Sequence, residues 1–189
     1  MRRRELLAGI AGAGVLAAGG AVAIGGPRVF DRSDPSTTTC VDDPTEPIEL
    51  DSFAVHSGNS GTVTVPNRAH VTFVKFFATW CGICRGMLSD VTEAHDRVGD
   101  EVRFLSVTPE RVSHDGQVSE DELATWWEEY GGGTWEIGID DTASLQAGCE
   151  SWTIPSAIVV DRDGVIRWSH TGDASADELV AGIESALEG

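Results

Sequence analysis

Basic side chains are scarce in this chain. Over 189 residues, Lys and Arg number 13 against 31 Asp and Glu, and Lys75 is the single lysine beside twelve arginines. The formal charge of −18 excludes a generic nucleic-acid binder, because self-repelling acid would face phosphate. An acid-rich, lysine-poor surface resembles those of salt-accumulating halophiles, where dense carboxylates stay hydrated and screening is nearly complete. A halophilic source is therefore the expectation from composition. Cysteine is also sparse, with Cys40, Cys81, Cys84 and Cys149 making one CxxC and no second pair. A structural zinc site needs that second pair. The five histidines (His56, His70, His95, His114, His170) lack ligand spacing, so neither a metal nor a cofactor is expected. No internal repeat is present.

What the chain does have is Thr79-Trp80-Cys81-Gly82-Ile83-Cys84-Arg85. The apolar and aromatic run from His70 to Ala78 before it predicts a buried strand. Met87, Leu88, Val91, Ala94 and Val98 after it mark one face of a helix. Cys81 thus falls where a strand ends and a helix begins, and the unpaired N–H groups and positive dipole end there favour a thiolate. Cys84, one turn on, is placed to attack a mixed disulfide formed by Cys81. That is the chemistry of dithiol–disulfide exchange.

Residues 1–26 read as an export signal or membrane anchor. Arg3-Arg4-Glu5-Leu6-Leu7 resembles a twin-arginine signal, with Ala21-Val22-Ala23 as a candidate cleavage site. Uncut, residues 6–24 would just span a bilayer at about 1.5 Å per residue. Either way the domain is expected outside the cytoplasm, membrane-anchored or secreted, a setting in which disulfides persist. Residues 27–47, rich in Pro, Ser, Thr and Asp, read as a flexible tether. Thr37 to Cys40 vaguely suggests a lipid-attachment box, but a polar stretch separates it from the apolar run.

Residues 48–189 read as the folded domain. Ile48–Val55 and Gly61–Val65 predict a hairpin, followed by the 70–78 strand, the Cys81 helix and a strand at 101–108. Ser119 and Glu122 make a capping box for a helix whose buried stripe is Leu123, Trp126, Trp127 and Tyr130, stopped by Gly131-Gly132-Gly133. The tryptophans suit core packing better than a ligand platform. A strand at 135–139 and a short helix at 142–147, capped by Asp140 or Asp141, come next. A hairpin of 156–161 and 165–170 then leads to a final helix capped by Ser175 and Glu178. The order predicts an α/β fold, a central mixed sheet flanked by helices, with the active loop at the carboxyl end of a central strand.

With these elements placed, the chain resembles the thioredoxin superfamily, and more narrowly the TlpA/ResA-type extracytoplasmic thiol–disulfide oxidoreductases. Residues Phe76 to Cys84 match the active-site strand and loop of that family. Thr153-Ile154-Pro155, with the strand and Asp161-to-Gly164 turn after it, matches the second signature. The resemblance covers about residues 48–189, including the amino-terminal hairpin and an inserted helix. It implies that Cys81 is the nucleophile, Cys84 the resolving thiol and Pro155 a cis-proline facing them. Trp80, Gly82, Ile83, Ile154 and Pro155 would then contact substrate, with the Ile154 backbone free to pair with a substrate strand. Two departures stand out. Ile83 replaces the usual proline, which leaves the loop less constrained. Lys75, six residues before Cys81, stands where thioredoxins bury an acid.

The expected function is an exported thiol–disulfide oxidoreductase acting on protein thiols and disulfides as a monomer. The resemblance favours reduction, for instance of cysteines in apocytochromes or copper-site proteins, with electrons from a membrane thiol carrier. An oxidase or isomerase of exported proteins, a thiol peroxidase and a non-catalytic soft-metal carrier on Cys81 and Cys84 are the alternatives. Cys40 and Cys149 either form a structural disulfide, or Cys149 is a buried hydrophobe and Cys40 a free tether thiol. Lys75 either lies beneath the cysteine pair in place of the missing acid, or snorkels from the strand end to solvent.

Overall fold

A computed structural model describes residues 47–149 and 153–188. The export or anchor segment, the tether up to residue 46 and Cys40 lie outside the described residues. Among the described residues no helix is long and apolar enough to cross a membrane.

The described chain runs β1 (Ile48–Ala54), β2 (Asn59–Val65), β3 (Thr72–Phe76), α1 (Gly82–Val98), β4 (Arg103–Thr108), α2 (Glu120–Glu129), β5 (Glu136–Ile139), α3 (Ser144–Gly148), β6 (Ser156–Val160), β7 (Ile166–Thr171) and α4 (Ala176–Glu188). Seven strands form one mixed sheet in the order β2-β1-β5-β4-β3-β6-β7. Strands β3, β4 and β5 run parallel, and every other pairing is antiparallel.

Strand β3 is central because it is apolar on both faces, and each of its five residues is buried. Phe73 points to one face, with Phe77, Cys81, Cys84, Met87, Trp127 and Leu179. Val74 and Phe76 point to the other, with Leu50, Leu105, Leu145 and Cys149. Alternation of the backbone thus divides one strand between two apolar layers. Helices α1, α2 and α4 cover the first layer, and α3 covers part of the second.

The expected elements are present with local differences. Strand β3 is shorter than the 70–78 run, and β2 begins at Asn59 rather than Gly61. In α2, Leu123 and Trp127 are fully buried, but Trp126 and Tyr130 are only half-buried. The Ser119–Glu122 capping box forms as read, with both reciprocal bonds. At the start of α3, Asp140 is the one of the two expected acids that caps the helix. Its N-cap position is Ala143 in the left-handed region, and Asp140, four residues before Ser144, accepts from the N–H groups of Ser144, Leu145 and Gln146. The two oxygens of that buried carboxylate satisfy donors that the helix start leaves open. Val65–Pro66 is a second cis peptide, with no counterpart in the sequence reading.

Candidate active site

Cys81 is the N-cap of α1, and its sulfur accepts from the Cys84 N–H at 3.2 Å. No acidic residue occupies the first turn of α1. The positive end of the helix therefore acts on the sulfur without a competing carboxylate on that turn. Cys81 and Cys84 are joined by a disulfide with Cα atoms 5.3 Å apart. Cys81 is 7 % exposed and Cys84 1 %, so the first thiol lies nearer the surface. Around them Trp80 and Ile83 are 68 % and 55 % exposed. Two large apolar side chains held in water beside a reactive pair make an apolar contact surface. Gly82 is exposed between them.

The Ile154–Pro155 peptide is cis. It leads directly into β6, which pairs antiparallel with β3 so that Phe76 faces Ser156. This register brings Pro155 beside the segment leaving β3 for Cys81. The Pro155 carbonyl accepts from Gly172 N–H at 2.9 Å, tying this turn to the end of β7.

Lys75 is also central. It lies on β3 opposite Ser106 and Ala157, with the same facing as Phe73 and Phe77. Ala157, Phe73 and Phe77 share their apolar layer with both active-site cysteines. The side chain is 1 % exposed, and its Nζ has no hydrogen-bond partner among the described residues. Snorkelling to solvent is thereby excluded. Burial lowers the ammonium pKa from 10.5 to about 7, against an opposing attraction from Asp173.

Glu110 escaped the sequence reading. It follows β4 and is 4 % exposed. Its carboxylate accepts from the Thr79 N–H and hydroxyl, both at 2.6 Å, and from the Thr108 hydroxyl at 3.1 Å. The loop entering Cys81 is thus anchored to the loop leaving β4. Its one local signal was an acid just beyond the end of a predicted strand, in a loop that reads as merely polar. On the other side, Arg85 sits 5.4 Å over the Tyr130 ring, and Phe77 stacks on Trp126 at 5.4 Å. Trp126 and Tyr130 line a shallow groove of about 370 Å³. Trp127 is core, whereas Trp126 joins core to groove. Among the described residues no cluster of His, Cys, Asp and Glu could hold a metal ion. Cys149, 4 % exposed at the end of α3, is disulfide-bonded, which excludes its reading as a free buried thiol.

Residues 54–120, which include the cysteine pair, match the Thioredoxin family. Over that segment the chain is thioredoxin-like. It is 24 % identical over 118 residues to the sporulation thiol-disulfide oxidoreductase A of Bacillus subtilis, spanning 62 % of this chain and 68 % of that protein. The exposed lipoprotein thioredoxin of Streptococcus pneumoniae shares its fold, with a TM-score of 0.57 and 22 % identity over 76 % of this chain and 99 % of that one. A Plasmodium vivax 2-Cys peroxiredoxin does so as well, with a TM-score of 0.58 and 14 % identity over 76 % and 93 % of the two chains. The domain, the thioredoxin-like sheet and the disulfide at the start of α1 together make the protein a thiol–disulfide oxidoreductase.

Proposed function

We propose that this enzyme is exported and reduces disulfides of other exported proteins. Cys81 is the attacking thiol, and Cys84 resolves the mixed disulfide. Ile154 and Pro155 supply the backbone against which a substrate strand lies, while Trp80, Gly82 and Ile83 contact it around the sulfur. The observation that carries this reading is the Cys81–Cys84 disulfide at the first turn of α1, flanked by exposed Trp80 and Ile83. Its cargo would be cysteines of cytochromes or metal-site proteins during maturation. A membrane thiol carrier would return it to the dithiol form, with the monomer tethered or released through residues 1–26. The exposed pneumococcal lipoprotein among its structural relatives supports an extracytoplasmic setting. A further part of the reading pairs Cys149 with Cys40, and peptide mapping of non-reduced protein tests it: a Cys40 peptide migrating alone rules it out.

The function is tested with Cys84→Ser. That variant should strand substrates on Cys81, and its captured partners should be exported proteins with paired cysteines. The parent should reduce insulin in the presence of a dithiol. Absence of both capture and insulin reduction would overturn the reading. Peroxide turnover without insulin reduction would point instead to a thiol peroxidase, and stoichiometric Cu(I) without turnover to a metal carrier.

A further inference from the structure

Two ionisable groups are buried behind the cysteine pair, and they differ in how they are satisfied. Glu110 accepts from three donors, two on Thr79 and one on Thr108. The amine of Lys75 has no hydrogen-bond partner among the described residues. A buried ammonium without acceptors is costly, and packed proteins normally exclude it or neutralise it. Here it stands on the central strand between Ser106 and Ala157, within the layer that holds both cysteine sulfurs. The Ser106 hydroxyl already accepts from Trp135 Nε1 at 3.0 Å.

Few other charges face it. On α1 the groups toward the core are Cys81 and Cys84 themselves, and Asp90 is engaged by the Ala176 N–H at 3.1 Å. β6 brings no titratable side chain between Ser156 and Val160. From the β7–α4 connection, Asp173 attracts the ammonium through its charge, and His170 Nε2 meets the Asp173 carbonyl at 2.8 Å. Glu110 lies beyond the end of β4.

We infer that Lys75 is the buried proton acceptor for Cys84 and a redox-linked counter-charge for the reduced pair. This rests on the exchange reading above and specifies its resolving step. In the mixed disulfide, neutral Lys75 takes the Cys84 proton, directly or through one water. The Cys84 thiolate then attacks Cys81 Sγ. The Cys81–Cys84 bond forms as the Cys81–substrate bond breaks, and the electron pair leaves on the substrate sulfur, which solvent protonates. The dithiol loses two electrons and the substrate disulfide gains them. With the disulfide closed, no anion remains on the pair to hold the ammonium, and the proton departs. The lowered pKa of about 7 makes both forms of the amine accessible near neutrality, as a general base requires.

The test uses the full chain, with Cys81 loaded as a mixed disulfide by 5,5′-dithiobis(2-nitrobenzoate). Release of thionitrobenzoate by Cys84 is followed across pH 5–10. In the parent the rate should rise with an inflection near 7. Lys75→Met removes the base and Lys75→Arg keeps a permanent charge. Both should lose that inflection and slow release by about tenfold or more at pH 7. Overlaying profiles would overturn the inference while leaving the exchange reading intact. A parent that releases nothing and fails to reduce insulin would overturn the exchange reading itself. A readout that needs no variant comes from the single lysine. Labelling with 15N-lysine gives one Nζ resonance, which should titrate near 7 in the oxidised protein and at higher pH in the reduced one. Titration near 10.5 in both redox states would also overturn the inference.

Discussion

Cys81 and Cys84 have the same chemistry and differ by position alone. Cys81 lies at the cap, where the helix field and the Cys84 N–H favour its thiolate. Cys84 lies one turn inward and is 1 % exposed. In the reduced protein, iodoacetamide should therefore alkylate Cys81 first, by at least tenfold, as mass mapping of a brief pulse would show. Predominant labelling of Cys84 would reverse the assigned roles. Lys75 contributes to stability with the opposite sign from a paired lysine. Its folded pKa of about 7 lies below the unfolded 10.5, so between those values the unfolded chain binds the extra proton. Stability from this group is lowest below pH 7, rises as pH climbs through the window, and levels off above 10.5. Lys75→Met should consequently stabilise the oxidised protein by a few kcal/mol at pH 6. That margin should shrink toward pH 10, as urea unfolding of the two proteins at each pH would show. Equal margins at both pH values would mean that the ammonium is solvated. The placement of the cysteines was legible because spacing and a strand-to-helix junction define it within a few residues. The burial of Lys75 was not, since a lysine near a strand end has two outlets and only the packed helix above it closes one.

One carboxylate ties the segment linking β3 to α1 to the loop after β4, beside the backbone bond from Phe77 N–H to the Val107 carbonyl. Glu110 lies 31 residues beyond Thr79 in sequence, yet it receives both Thr79 donors and that of Thr108. Glu110→Ala would leave these groups without their partner in a largely dry setting, at a cost of about 1–3 kcal/mol. Urea denaturation measures the loss, and the variant should also lose selectivity between Cys81 and Cys84 toward iodoacetamide. An unchanged denaturation midpoint would show that water replaces the carboxylate. No local pattern exposes a contact between distant loops, and for that reason Glu110 read as an ordinary polar loop residue. Capping boxes are the contrasting case. Ser119 with Glu122 and Ser175 with Glu178 pair within three residues, so both helix starts were legible. The start of α3 was half-legible, because Asp140 reaches the helix from outside it. In α2 the helical period marked Trp126 and Trp127 alike. Phe77 touches both rings, and Trp127 is the one that enters the core, where its Nε1 donates to the Gly133 carbonyl.

Over the whole molecule, charge is strongly unbalanced. Acidic residues exceed basic ones by 18, and ion pairs among the described residues, such as Arg97–Asp177 and Arg167–Asp161, engage only a few of them. Exposed pairs of this kind contribute little, so net repulsion is relieved mainly by salt, whose Debye length shrinks from about 30 Å at 0.01 M to about 3 Å at 1 M. The melting temperature should rise steadily from 0.01 M to multimolar KCl. A flat response would sink the halophilic reading. The succession of elements and the mixed sheet were legible at this scale because each turn signal is local, whereas the pairing of β1 with β5 joins strands far apart in sequence and has no local signal.

The single lysine of the chain is walled into the sheet. The folded surface offers no side-chain amine at all. Acylating reagents, reducing sugars and amine-directed crosslinkers therefore find no ε-amino target until the sheet opens. The rate at which Lys75 is acylated becomes a clock for that opening. One modified residue, counted by mass, would report how often the centre of the fold comes apart.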